Sequence, residues 1–202
     1  PSLPTNSGIF SPIKVIAPAG CLVNPTEPAP VSVLIDAGQR IPDTLFGALA
    51  SIMPERILAA SNGACTTCML FGRTEHSHGK YFICHESIAG GSGASHYFDG
   101  LSGVQVYLTN TSNMPIEATE IEYPDIMLEQ YYLRRDSGGA GQFRGGCGIQ
   151  REYKICSDGM AVNCLGDRQK FQPWGLDGGM AGAAGAFYLV DGQTGEKTAL
   201  SH

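Results

Sequence analysis

The chain has 202 residues, 43% of them hydrophobic and only 16% charged, which is enough for one sizeable core and too apolar for a disordered segment. Its formal net charge is −6 with no run of Lys or Arg, so it lacks the basic footprint that nucleic-acid binding needs. No apolar stretch approaches the ~20 residues of a membrane span, and Pro1-Ser2-Leu3-Pro4 has neither the basic nor the apolar region of a signal peptide. Seven cysteines, at 21, 65, 68, 84, 147, 156 and 164, are an odd number at irregular spacing. They fit reduced thiols in a cytoplasmic protein better than a secreted disulfide framework. The missing initiator Met and the end at Ser201-His202 fit a piece of a longer polypeptide, read as one domain over residues 1–202.

In chain order, the strand candidates are Ile13 to Ile16, Val31 to Ile35, Tyr81 to Cys84, and Val104 to Leu108 with its clean alternation. Met127 to Leu133, Ile149 to Ile155, Met160 to Leu165 and Phe187 to Val190 follow. One polar face per strand favours antiparallel sheets covered on one side. A single helix is predicted near 41–53, because Ile41, Leu45, Leu49 and Ile52 share one face of a 3.6-residue period. Pro42 would occupy its first turn and Pro54 would end it. Three glycine clusters (90–93, 138–146 and 178–182) lie beside these strands. They read as tight turns or close backbone contacts rather than phosphate loops, since none carries Gly-Lys-Ser/Thr. The fold class is therefore α+β, predominantly antiparallel β with glycine-rich turns.

Cys65-x-x-Cys68, His76-x-His78 and Cys84-His85 contain zinc-ligand residue types, but a structural zinc site normally pairs two tight knuckles, so a buried cysteine pair beside a surface turn is the plainer reading. No Gly-x-Ser-x-Gly elbow occurs, and Cys147 between two glycines reads as a small thiol filling a turn. The charged residues inside the glycine clusters are better candidates. Asp136 and Arg144 flank a glycine hinge, where Arg144 can bind a carboxylate in bidentate fashion or the two can pair and lock a hairpin. Glu86, Glu117 and Glu120 are further carboxylates near such blocks.

Several strings, in order and spacing, resemble the hydantoinase B/oxoprolinase family. They are Asn6-Ser7-Gly8-Ile9-Phe10-Ser11-Pro12, Ala89-Gly90-Gly91-Ser92-Gly93-Ala94, Asp99-Gly100, and Leu108-Thr109-Asn110-Thr111-Ser112-Asn113-Met114-Pro115-Ile116-Glu117. Leu133 to Gly146 with its Asp136-Ser137-Gly138-Gly139-Ala140-Gly141 core, and Pro173-Trp174-Gly175-Leu176-Asp177-Gly178-Gly179, complete the set. The resemblance covers nearly the whole chain and implies the C-terminal part of a B-type subunit. It implies an ATP-dependent hydrolase of cyclic amides (a hydantoin, 5-oxoproline or a related lactam), inactive as this chain alone. Two other roles are compatible with it: a subunit of an ATP-dependent ketone carboxylase, and a non-catalytic domain that braces the complex.

The resemblance also implies partners. ATP with Mg2+ would sit on a hydantoinase A-type subunit or domain, and the N-terminal half of the B-type subunit would complete the assembly around a small-molecule substrate. The family's Gly-Gly-Thr-His and His-His-x-Asp motifs, which look like metal ligands, are absent from these residues; a divalent metal would then be bound outside this chain. Asp136, Arg144 and Glu86 are the catalytic candidates, and Asn110, Thr111 and Glu117 the substrate-binding ones.

Overall fold

A computed structural model describes residues 6–31 and 34–200. Its central sheet forms where alternating apolar residues can be buried on one face. Strand β1 (Thr67–Arg73) pairs antiparallel with β2 (Tyr81–Ser87) on one side. On the other side it will pair with β7 (Met160–Leu165), giving the order β2-β1-β7. Directly opposed residues of an antiparallel pair share a face. Glu86, Cys68 and Cys164 therefore form one row across the sheet, and Cys84, Leu70 and Val162 the next. Cys68, Leu70, Cys84 and Ile126 form the buried core, with Phe82, Tyr123, Tyr153 and Met160 packed against it.

The other strands make short antiparallel pairs: β3 (Gly90–Gly91) with β4 (Ser102–Val104), β5 (Ile126–Leu133) with β6 (Ile149–Ile155), and β8 (Tyr188–Val190) with β9 (Lys197–Ala199). The β5–β6 ladder slips between Leu128 and Gln130, leaving Glu129 as the bulged residue. A short helix α2 (Ile116–Glu122) follows Pro115, and its Glu120 carboxylate accepts the Leu128 amide at 2.9 Å, tying α2 to the start of β5. The architecture is α+β and mostly antiparallel β, in agreement with the pattern of the sequence.

Helix α1 spans Leu34–Leu49 rather than 41–53. Pro42 lies in its interior instead of its first turn, where it leaves one helical hydrogen bond unmade. The expected strand Val31 to Ile35 lies partly outside the described residues, and its last two residues open α1. The orientation of α1 is the larger surprise. Ile41, Leu45 and Leu49 face outward, while Gln39 and Asp43 are the buried residues. The inward stripe is Asp36, Gln39, Arg40 and Asp43, one helical face made of polar groups that all find partners. Asp36 accepts the Cys65 amide at 3.0 Å, Gln39 bonds Thr109 and accepts the Leu108 amide, and Asp43 forms the knot described below.

Ile13 to Ile16 is not a strand, and β4 stops at Val104. The alternation of 104–108 is broken because Tyr107 takes a left-handed φ of 50°, which swings its hydroxyl onto Asp43. Among the described residues, no helix is long and apolar enough to cross a membrane.

Candidate active-site cleft

The glycine clusters are stacked on one another through main chain. Asn62 donates to the Gly91 carbonyl, Gly146 to Ser92, Gly145 to Gly139, and Met180 to Ala140, each at 2.8–3.0 Å. Of the glycines in the three clusters only Gly178 has a positive φ. The others are required by proximity: a Cβ on Gly91 would collide with the Gly146 carbonyl, and one on Gly139 with the Met180 carbonyl. This layered backbone forms one side of a cleft of about 1330 Å³, also bordered by β6 residues Arg151 and Tyr153, by Cys68 and Cys164, and by Arg168 and Trp174.

Two polar knots hold the cleft's surroundings. In the first, Glu86 is bonded by the guanidinium of Arg151 and by the Tyr153 hydroxyl, and both charged side chains are essentially unexposed. Arg151 also donates to the Met114 carbonyl at 2.9 Å and lies over the Tyr131 ring, 4.2 Å from its centroid. Burial pulls the Arg151 guanidinium below its ordinary pKa and pushes the Tyr153 phenol up. The knot joins β2, β6 and the segment before α2. In the second, Asp43 accepts from the Tyr107 hydroxyl and from Arg168, both at 2.6 Å, with Arg40 at 3.5 Å and the Ser61 amide at 3.4 Å. Arg168 reaches it from a left-handed backbone at φ 60°. Burial, then the hydrogen bond to Asp43, pushes the Tyr107 phenol up.

The sequence-predicted residues fall in different places, and no hydrogen bond or ion pair joins any two of the six. Glu86 is buried in the first knot. Asp136 is exposed in a turn at φ 57°, and Arg144 is exposed with its amide donating to Asp99 at 2.7 Å. The expected Asp136–Arg144 pair is therefore not formed; Asp99 organises the loop instead. Asn110 and Thr111 are exposed, and the anchors of their motif are the flanking residues. Thr109 meets Gln39, while Asn113 accepts the Ala89 amide at 3.2 Å and donates to Gly103 at 3.1 Å. Glu117 is exposed on the first turn of α2. None of the six borders the cleft.

The Cys/His cluster also disperses. Cys65 meets Ser87 at 3.5 Å, Cys68 meets Cys164 at 3.9 Å, and His76 meets the buried Asp125 at 2.7 Å. Among the described residues no three His, Cys, Asp or Glu side chains converge in a metal-holding group. Nucleotide phosphates also fit poorly here, because the amides of Ser92, Gly100, Gly145 and Gly146 already donate to neighbouring carbonyls. Arg151, Tyr153, Asp43 and Arg168 were missed in the sequence. The first two had a legible signal, since Arg151 and Tyr153 sit two apart on a predicted strand and so share a face.

The sequence matches the hydantoinase B/oxoprolinase family over residues 1–201. It is 46% identical over 202 residues to an uncharacterised protein of Methanocaldococcus jannaschii, covering 100% of this chain and 34% of that one. It is 36% identical over 191 residues to 5-oxoprolinase 1 of Arabidopsis thaliana, covering 93% of this chain and 14% of the relative. The chain thus spans about a third of the first relative and a seventh of the second. The crystal structure of the ATP-dependent caprolactamase from Pseudomonas jessenii superposes with a TM-score of 0.62 at 28% identity, over 70% of this chain and 25% of that one. Matched to the family almost end to end, with the family's glycine blocks stacked along one cleft, this chain belongs to the hydantoinase B/oxoprolinase family.

Proposed function

We propose that this chain, a single domain over 1–202, is the C-terminal part of a B-type subunit in a cytoplasmic, ATP-dependent cyclic-amide hydrolase. Its substrate would be a hydantoin, 5-oxoproline or a related lactam. The observation that carries this reading is the nearly end-to-end family match, whose glycine blocks build one side of a cleft large enough for a small ring. The 5-oxoprolinase and caprolactamase names of two relatives point to cyclic amides.

A lactam resists hydrolysis because nitrogen lone-pair donation stabilises the carbonyl. Phosphorylation of that oxygen removes the protection and leaves the carbon open to water. In this reading the A-type partner holds ATP and Mg2+, any divalent metal is held outside this chain, and the N-terminal half of the B-type subunit closes the cleft. This chain supplies shape. Glu86 positions Arg151 and Tyr153 at the cleft border, and Asp136 and Arg144 offer charged groups from the exposed loop that carries the glycines. Asn110, Thr111 and Glu117 offer exposed polar contacts to substrate or to the rest of the assembly.

The test is phosphate release by the complete complex, purified with its partner, on hydantoin, 5-oxoproline and caprolactam with ATP. Lactam-dependent release that disappears when this chain is omitted is expected. Release that requires a ketone and bicarbonate, or that proceeds unchanged without this chain, overturns the reading.

A further inference from the structure

Cys68 on β1 and Cys164 on β7 are directly opposed in an antiparallel ladder, with their sulfurs 3.9 Å apart. Opposed residues in such ladders have Cα separations of roughly 4.5–5.5 Å, inside the roughly 4.4–6.8 Å that a disulfide spans. Closing the sulfurs to bonding distance therefore needs rotation of two side chains and no rearrangement of the sheet. Of the seven cysteines, all free, these two are, among the described residues, the pair joined by a sulfur–sulfur hydrogen bond. Cys65 is turned to Ser87, and Cys156 to the Lys154 carbonyl.

We propose that Cys68 and Cys164 are a redox pair that closes to a reversible disulfide under hydrogen peroxide. Both border the cleft, and Cys164 is the more accessible of the two. Cys164 is therefore the attacking sulfur, since hydrogen bonding to Cys164 and burial hold the Cys68 proton in place. The Cys164 thiolate attacks the peroxide, giving a sulfenic acid and releasing hydroxide. The Cys68 sulfur then displaces the sulfenic hydroxyl, which leaves as water. Two thiols are oxidised by two electrons in all, and one peroxide is reduced to two waters. The bond would link residues 96 apart in sequence. It would lie in the same row as Glu86, and would fasten β7, with the loop carrying Arg168 that follows it, to β1.

The inference does not depend on the proposed reaction and is tested without it. The reduced protein is treated with a small excess of hydrogen peroxide, denatured, alkylated and weighed, and its peptides are mapped. The expected result is a loss of two of the seven alkylations, mapped to a Cys68–Cys164 peptide pair and restored by dithiothreitol. Cys156→Ser should keep the bridge, while Cys164→Ser should leave Cys68 fully alkylatable. The wild-type map decides the matter even if a variant folds poorly. Oxidation confined to other cysteines, over-oxidation of Cys164 without a bridge, or no change in thiol count would each overturn the proposal.

Discussion

Gly91 and Gly146 face each other with no room for a side chain between them, since a Cβ on Gly91 would lie inside van der Waals contact of the Gly146 carbonyl oxygen. The obstacle is backbone, which cannot turn aside as a side-chain tip can. Gly91→Ala should therefore cost about 3 kcal/mol of stability. Gly178→Ala meets open space but a left-handed φ of 84°, and should cost only about 1–2 kcal/mol. Urea midpoints of the two variants test the order; a Gly91→Ala variant as stable as wild type would show that the stacked layers can move apart.

The Glu86–Arg151 pair is buried on both sides. Removing one partner strands the other charge, so Glu86→Leu or Arg151→Met alone should each cost about 3–5 kcal/mol. The double variant should recover much of that loss, because two apolar side chains need no partners. A double-mutant cycle read by denaturant unfolding gives the coupling. Strictly additive losses would contradict the pairing.

Asp125 is buried and receives Thr74, Ser157 and His76. Burial pushes its carboxyl up, but the hydrogen bonds from Ser157, Thr74 and His76 outweigh it and hold the group below the usual carboxylate range. With its folded value below the unfolded one of about 3.9, the carboxylate stabilises the fold fully above that value. Its contribution fades as pH falls through the folded value. Stability measured across acidic pH should thus fall more steeply for wild type than for Asp125→Asn as pH drops below about 3.9. Parallel curves would remove Asp125 from the account.

Helix α1 is held by its polar stripe. Asp43→Ala should cost about 3–5 kcal/mol by leaving Arg168 and Arg40 without their shared carboxylate, and amide exchange in α1 should accelerate. Leu45 is 56% exposed, so Leu45→Gln should change the stability of this chain by less than about 0.5 kcal/mol. A large loss at Leu45 with none at Asp43 would reverse this picture of the helix.

Strands β5, β6 and β7 were legible as short runs rich in apolar, aromatic and β-branched residues bounded by turn residues, although of their residues only Ile126 and Leu128 are buried. Strand β1 was not: Met69 and Phe71 are half-buried opposite Cys68 and Leu70, so both faces carry apolar residues and the alternation is lost. The apolar stripe of α1 was legible as a period but not as a direction. Periodicity shows that a helix has two faces; only the tertiary partners of Asp36, Gln39 and Asp43 show which one turns inward. The same limit applies to the candidate site. The block Thr109 to Asn113 was recognisable, yet which of its polar residues bind inward depends on Gln39 and Ala89, which are distant in sequence. Arg151 pairs with Glu86 across 65 positions, a relationship no local pattern carries.

The stacked glycine layers have a consequence for how ligand preference can vary. Peptide groups present the same chemistry whatever residue bears them, and at Gly91 or Gly139 no residue other than glycine fits without displacing a neighbouring segment. That bed is a fixed template that point substitution can damage but hardly retune. Any adjustment of ligand preference must then come from exposed side chains that border the cleft, such as Gln142 and Tyr188.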